Sequence, residues 1–216
     1  MRNAIAAKAA ALLCSGMCAA FAIAVPSADA EVRSSMQMRP YHVRGATASA
    51  LVSYMRSSPF EGSRGAAVAN IRPNYALSVK PRMSGAVCRA SVSLSIRFTL
   101  TLPKAASGGM SPATRSAWNG FVGFAKRHED THRRIYMDCG HAFVAKAERL
   151  TASSCGALEA SIRRMLENDK VACERKQVAF DRADYKRIFG LSLFNMAKQG
   201  EGRKPTRLSS ASGASR

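Results

Sequence analysis

From Cys88 to Leu102 every even position is small or apolar (Cys88, Ala90, Val92, Leu94, Ile96, Phe98, Leu100, Leu102), and the odd positions carry Arg, Ser or Thr. A period of two over this length predicts a β-strand with one face against a core and the other facing water or a ligand. An antiparallel sheet covered on one side suits that pattern, with Pro103 as the strand's end. Upstream, Ala66 to Lys80 reads as extended, Tyr75, Leu77 and Val79 alternating against Ala76, Ser78 and Lys80. Pro73 marks that segment as an edge or a bulge. Tyr41 and Val43 fit a short strand ending at Gly45, after an irregular stretch from Glu31 to Arg39. Thr47 to Ser57 reads as a short helix with Thr47 as N-cap and Pro59 just past its end.

Beyond a Gly/Ser loop the period changes to that of helices. Ser111 and Pro112 form a helix start, the serine as N-cap and the proline at the first helical position. A second helix begins near Gly156 and runs through Leu158, Ile162, Met165 and Phe180. The short connection from Thr151 to Cys155 makes the two helices antiparallel neighbours. The expected fold is therefore α+β: a small antiparallel sheet with a short helix, packed on a C-terminal antiparallel pair of long helices. No internal repeat is present, and residues 198–216, basic and rich in small residues, read as a disordered tail.

The first thirty residues change the setting. Arg2 and Lys8 precede an apolar run from Ala9 to Val25, followed by Pro26 and Ser27-Ala28-Asp29-Ala30. This is the layout of a secretory signal peptide cleaved before Glu31, leaving residues 31–197 as the folded domain of a periplasmic or secreted protein. Cleavage would take Cys14 and Cys18 and leave Cys88, Cys139, Cys155 and Cys173, an even number that suits two disulfides. The chain of 216 residues carries 33 Lys plus Arg against 14 Asp plus Glu. Charge of that sign usually points to nucleic acid, but export redirects it to peptide or protein substrates at the cell envelope or to anionic envelope polymers.

Within the first long helix stands His128-Glu129-Asp130-Thr131-His132, an H-E-x-x-H sequence. Two histidines four apart are rotated about 40° from each other, so both rings leave one helix face and can grip one metal ion. Zinc suits imidazole nitrogen, and a catalytic zinc takes three protein ligands plus a water whose pKa falls towards about 7. Glu129 stands where a general base for that water is needed. By helical phase the pair shares a face with Phe121, Ile135 and Cys139, the stripe expected to be buried. Three of the four histidines in the chain lie between positions 128 and 141.

The third ligand is not local. The extended form of the motif needs glycine and histidine at positions occupied here by Ile135 and Asp138, and His141 is half a turn out of phase unless the helix breaks at Gly140. Cysteine geometry supplies a register for the second helix. Cys155 and Cys173 would lie about 27 Å apart along it, too far to join, which leaves two pairings of the four cysteines. If Cys139 joins Cys173, Cys88 is left for Cys155, and residues whose numbers sum to about 312 lie side by side. His132 then faces Phe180 and His128 faces Asp184. Asp181 and Asp184 are the candidate third ligands, and phase favours Asp184, about 20° from Cys173 against about 80° for Asp181.

The early Tyr41-His42-Val43-Arg44-Gly45, the Cys-bearing strand ending in Leu102-Pro103, Trp118-x-x-Phe121 before H-E-x-x-H, and the later Phe180-Asp181 together resemble a bacterial domain-of-unknown-function family. That family is described as predicted secreted zinc-dependent proteases, and the resemblance covers most of residues 40 to 185. Its later segment commonly reads Y-D-x-x-T-x-H-G; here Asp181 matches, and Asp184 and Lys186 replace the threonine and the histidine. The resemblance thus favours Asp181 as ligand. It implies a zinc-dependent protease; on this chain's own residues the expectation is a peptidase with one zinc ion per chain in which Glu129 activates the water, with Tyr185, His141 and Tyr136 as candidate oxyanion donors. The rival expectation is a zinc-stabilised envelope module without catalysis, its metal closed by a fourth protein ligand such as His141 and its basic surface holding an anionic polymer.

Overall fold

In the computed structural model, residues 31–57, 60, 68–106 and 108–201 are described. The expected signal peptide, Pro59, Ala66 and residues 202–216 of the expected tail lie outside them. The elements are β1 (Glu31–Val43), α1 (Ala48–Ser57), β2 (Asn70–Ser84), β3 (Val87–Ala105), α2 (Pro112–Ala147), α3 (Cys155–Phe189) and α4 (Ser192–Glu201). The fold is α+β, a small three-stranded sheet with four helices, the long ones C-terminal.

β3 is the central strand, flanked in the order β1-β3-β2. Its even positions form the floor of the main core, with Val92, Leu94, Ile96, Phe98 and Leu100 almost wholly buried. Tyr136, Phe143, Val144 and Ala147 of α2 and Leu158, Ile162 and Leu166 of α3 close over them. β2 and β3 form an antiparallel hairpin that turns at Gly85, whose φ of 63° suits a residue without Cβ. Pro73 sits on the edge strand β2, as its missing donor requires.

The sheet is mixed, which corrects the expected antiparallel arrangement: β1 runs parallel to β3. Alternating burial is the same whichever way a neighbouring strand runs, so the pattern in β3 carries no directional information. The path from β1 to β3 passes through α1 and β2, long enough for the crossover a parallel pair needs. β1 also begins at Glu31 rather than near Tyr41. As an edge strand exposed from Arg33 to Pro40, with Val32 alone of its first ten residues packed on the core, it needs no apolar alternation, and main-chain pairing to β3 holds it extended. β3 continues through Pro103 to Ala105, again because an edge register tolerates the missing donor.

The helix starts lie at their capping residues. The Thr47 hydroxyl accepts the Ala50 N–H at 3.2 Å, and the Ser111 hydroxyl accepts the Thr114 N–H at 3.1 Å. Ser154 caps α3 in the same way through the Ala157 N–H. Helix α4 was not foreseen, and it carries order through Lys198 to Glu201, where the tail was expected to have begun. Its Leu193, Phe194 and Ala197 bury against α1 and the N-terminal half of α2, forming a second cluster with Val43, Leu51, Trp118 and Phe121.

Two disulfides tie the main core together. Cys88 joins Cys155, linking the start of β3 to the start of α3, and Cys139 joins Cys173 across α2 and α3. Such bonds suit an oxidising environment. Among the described residues no helix is long and apolar enough to cross a membrane.

Candidate metal centre

The Cys139–Cys173 bond fixes how α2 and α3 slide past each other, and the same register brings His128 and His132 against Gln177, Phe180, Asp181 and Asp184. The buried stripe of α2 runs through Phe121, Ala125, Glu129, His132, Tyr136 and Gly140. Glu129, not His128, therefore holds the central position, and His128 lies at the margin with its side chain 20% exposed. Gly140 lets the helix lie against the sheet. A Cβ there would come within 3.1 Å of Ile96 and 3.3 Å of Leu94 and Val32.

The polar atoms converge on one point. His128 Nε2 and His132 Nε2 lie 3.0 Å apart, and Asp181 Oδ1 lies 3.2 Å from the first and 2.9 Å from the second. The other nitrogen of each ring is engaged. His128 Nδ1 is 2.8 Å from Asp184 Oδ2, a carboxylate oxygen that can only accept when ionised. His132 Nδ1 is 2.6 Å from Gln177 Oε1, and Gln177 Nε2 donates to the His132 carbonyl, so the amide oxygen is the end that faces the ring. Each Nδ1 thus carries the proton, and in the neutral rings each Nε2 presents a bare lone pair.

Three acceptors then face one another with no proton between them, an arrangement that repels unless a cation lies among them or a ring takes a second proton. Tetrahedral zinc with bonds of about 2.0–2.1 Å would set its ligand atoms about 3.3 Å apart. The spacing of His128, His132 and Asp181 fits that group, and all three ligand atoms fall within 4.8 Å of one another. Asp184 lies behind the triad: it accepts the His128 Nδ1–H and pairs with Arg187 at 2.8 Å. Burial works to raise the Asp184 carboxyl, but the bonds from His128 and Arg187 outweigh it and hold it below its ordinary value. The Phe180 ring lies 4.8 Å from His128 and 4.9 Å from His132, an apolar wall that keeps the rings in place.

Glu129 is only 5% exposed. Burial, with the nearby Asp181 charge, pushes its carboxyl up to about 8 although it accepts the Ile71 N–H of β2. A divalent cation on the three acceptors would offset the Asp181 charge and draw that value down.

The other expected residues fall elsewhere. His141 is exposed on an unbroken α2 and cannot fold back to the cluster, since Gly140 is an ordinary helical residue there. The Tyr136 hydroxyl donates to Glu174 Oε1 at 2.9 Å. Tyr185 is 65% exposed and packs on Phe189. Gln177 was not anticipated, although the register that put Asp184 near His128 also puts Gln177 near His132. The Ile71 amide had no sequence signal, because any residue other than proline supplies one.

No curated protein and no solved structure matches the chain. The family described as "Bacterial protein of unknown function (DUF922)" matches residues 38–187, from within β1 to the Arg187 that braces Asp184, and the chain belongs to that family.

Proposed function

We propose that the protein is an exported zinc-dependent metallopeptidase, with His128, His132 and Asp181 as the ligands of one zinc ion per chain and Glu129 as the general base. The observation that carries this reading is the convergence of three acceptor atoms on a pair of histidines whose outer nitrogens are both fixed by buried partners. When bound, zinc would acidify a water and polarise a peptide carbonyl. Asp184 and Gln177 hold the two rings in one tautomer and orientation, and Phe180 keeps them from turning. Glu129 stands one residue from the first ligand in a site largely shut off from water, where a carboxylate can take a proton and return it to a leaving amine. Asp181, its side chain 54% exposed, opens the cluster to solvent on the α3 side, where a substrate would approach.

One observation favours a second reading, a non-catalytic zinc-stabilised envelope protein. Glu129 is buried and bonded to the edge-strand amide of Ile71, as a strut between α2 and the sheet would be. Against it, the cluster offers three ligands among the described residues, whereas a closed structural site has four.

Zinc content and hydrolysis of a quenched casein substrate, measured together on the wild type and Glu129→Gln, separate the two. The peptidase reading expects about one zinc per chain in both proteins and a fall in kcat of at least a hundredfold in the variant. Zinc in both with equal hydrolysis would remove Glu129 from catalysis, and zinc in both with no hydrolysis in either would leave the structural reading.

A further inference from the structure

We propose that the face of the sheet turned away from the helices is a docking surface for an extended, carboxylate-bearing polysaccharide. This surface lies on the side of the sheet opposite the helices that build the metal centre, and it stands whether or not that centre is catalytic.

The face is assembled by the strand registers. Arg89, Ser91, Ser93, Ser95, Arg97 and Thr99 of β3 point away from the core, since their even-numbered neighbours fill it. β2 places Arg82 directly opposite Arg89, Lys80 opposite Ser91 and Arg72 opposite Thr99. On the other side β1 places Arg33 opposite Ser95 and Arg39 opposite Thr101. Glu31, the one carboxylate on this face among the described residues, is neutralised by Arg33 at 2.6 Å. Arg39, Arg82, Arg89 and Arg97 alone make the surface basic, and no helix among the described residues lies over it.

Charge complementarity selects an anion, and three further features select its kind. Arginine outnumbers lysine on the face, and its planar fork matches carboxylate bidentately where an ammonium does not. The spaces between the arginines are filled by Ser, Thr, Gln37 and Asn74, which pair with hydroxyls along a sugar chain. Ser78, Ser91, Ser93 and Ser95, together with Lys80 and the Glu31–Arg33 pair, line a shallow cavity of about 230 Å³ that a chain can enter and a flat bilayer cannot.

The other polyanions fit less well. No aromatic or large aliphatic side chain projects from β3 or β2 on this side, so nothing anchors in a membrane interface or stacks on a base. The disulfides place the protein where nucleic acid is not the usual partner. Arg82 and Arg89 are cross-strand neighbours of like charge, an arrangement that weakens an isolated sheet and that a polyanion lying across them would relieve.

The test uses the oxidised protein, with polygalacturonate as the probe in titration calorimetry at 50 and 200 mM salt. The wild type should bind, more weakly at the higher salt. Arg82→Ser/Arg89→Ser/Arg97→Ser should bind at least tenfold more weakly, and Arg164→Ser/Arg175→Ser/Lys176→Ser, which removes three charges from the exposed side of α3, should stay within about twofold of wild type. The sheet variant should melt no lower than the wild type, since it loses a like-charged pair; should it fail to fold, Arg97→Glu alone carries the comparison. Equal weakening by both triple variants would reduce the binding to net charge and overturn the proposal. So would no binding of polygalacturonate, or tighter sheet-dependent binding of phosphatidylglycerol vesicles or duplex DNA.

Discussion

At the scale of single residues, the cluster is decided by where protons sit. Gln177 is buried and can satisfy His132 only by accepting from Nδ1, which turns Nε2 towards His128 and Asp181. Gln177→Leu keeps the bulk and removes the acceptor. Zinc affinity, measured by competition with a chelator, should fall about 10- to 100-fold with little change in helix content. Glu129 allows a second test. In the metal-free protein its carboxyl is raised from 4.5 to about 8 by burial and Asp181. The folded state therefore holds a proton that the unfolded chain releases as pH rises through that window, so stability present below the unfolded value is lost towards the folded one. The melting temperature of metal-free wild type should drop between pH 5 and pH 8 by on the order of 10 °C relative to Glu129→Gln, which cannot ionise. Parallel profiles for the two proteins would mean that Glu129 is solvated. H-E-x-x-H was legible because chemistry and helical spacing coincide in five residues. Of the proton acceptors behind it, Asp184 was reached through the cysteine register and Gln177 was not, since a glutamine on a basic helix has no distinguishing pattern until a partner helix is set beside it.

At the scale of elements, what could be read depended on whether an element is held by its side chains or by its main chain. β3, α2 and α3 bury a stripe, so their periods, the Ser111 cap of α2 and the antiparallel pairing of the two helices were visible. β1 is held by its hydrogen bonds to β3 and α4 by a few apolar residues after the break at Gly190, and neither announces itself in the sequence. The register of α2 against α3 lies between these cases, because it could be read only through a cysteine pairing. That dependence is also physical. Cys139 lies about two turns from His132 and Cys173 about one turn from Gln177, along helices otherwise joined near the cluster by polar contacts such as Tyr136 to Glu174. Replacing both cysteines by serine should lower stability by about 2–4 kcal/mol. It should also weaken zinc binding beyond what global stability explains, because the two halves of the ligand set sit on helices free to slip. Zinc affinity unchanged in the double variant would show that the polar contacts alone hold the register.

At the scale of the whole molecule, α2 runs through two cores, and the histidines lie near the junction. Its first half packs with α1 and α4 through Trp118 and Phe121, and its second half with the sheet and α3 through Tyr136, Phe143 and Ala147. Both disulfides lie in the main core, so the α1/α4 cluster has no covalent tie and is the part expected to open first. Phe194 sits at its centre, 5% exposed and edge-on to Phe121 at 5.7 Å. Phe194→Ala leaves a cavity that two short helices, free of any cross-link, cannot close. Hydrogen exchange followed by mass spectrometry should then show the amides of α1 and α4 exchanging at least tenfold faster, while those of β3 around Ile96 and of α3 around Ile162 keep their wild-type rates. Zinc affinity should stay within about threefold, since no ligand or ring partner belongs to that core. If β3 and α3 accelerate together with α1 and α4, the two clusters unfold as one cooperative unit and α2 transmits every loss along its length, including to His128 and His132.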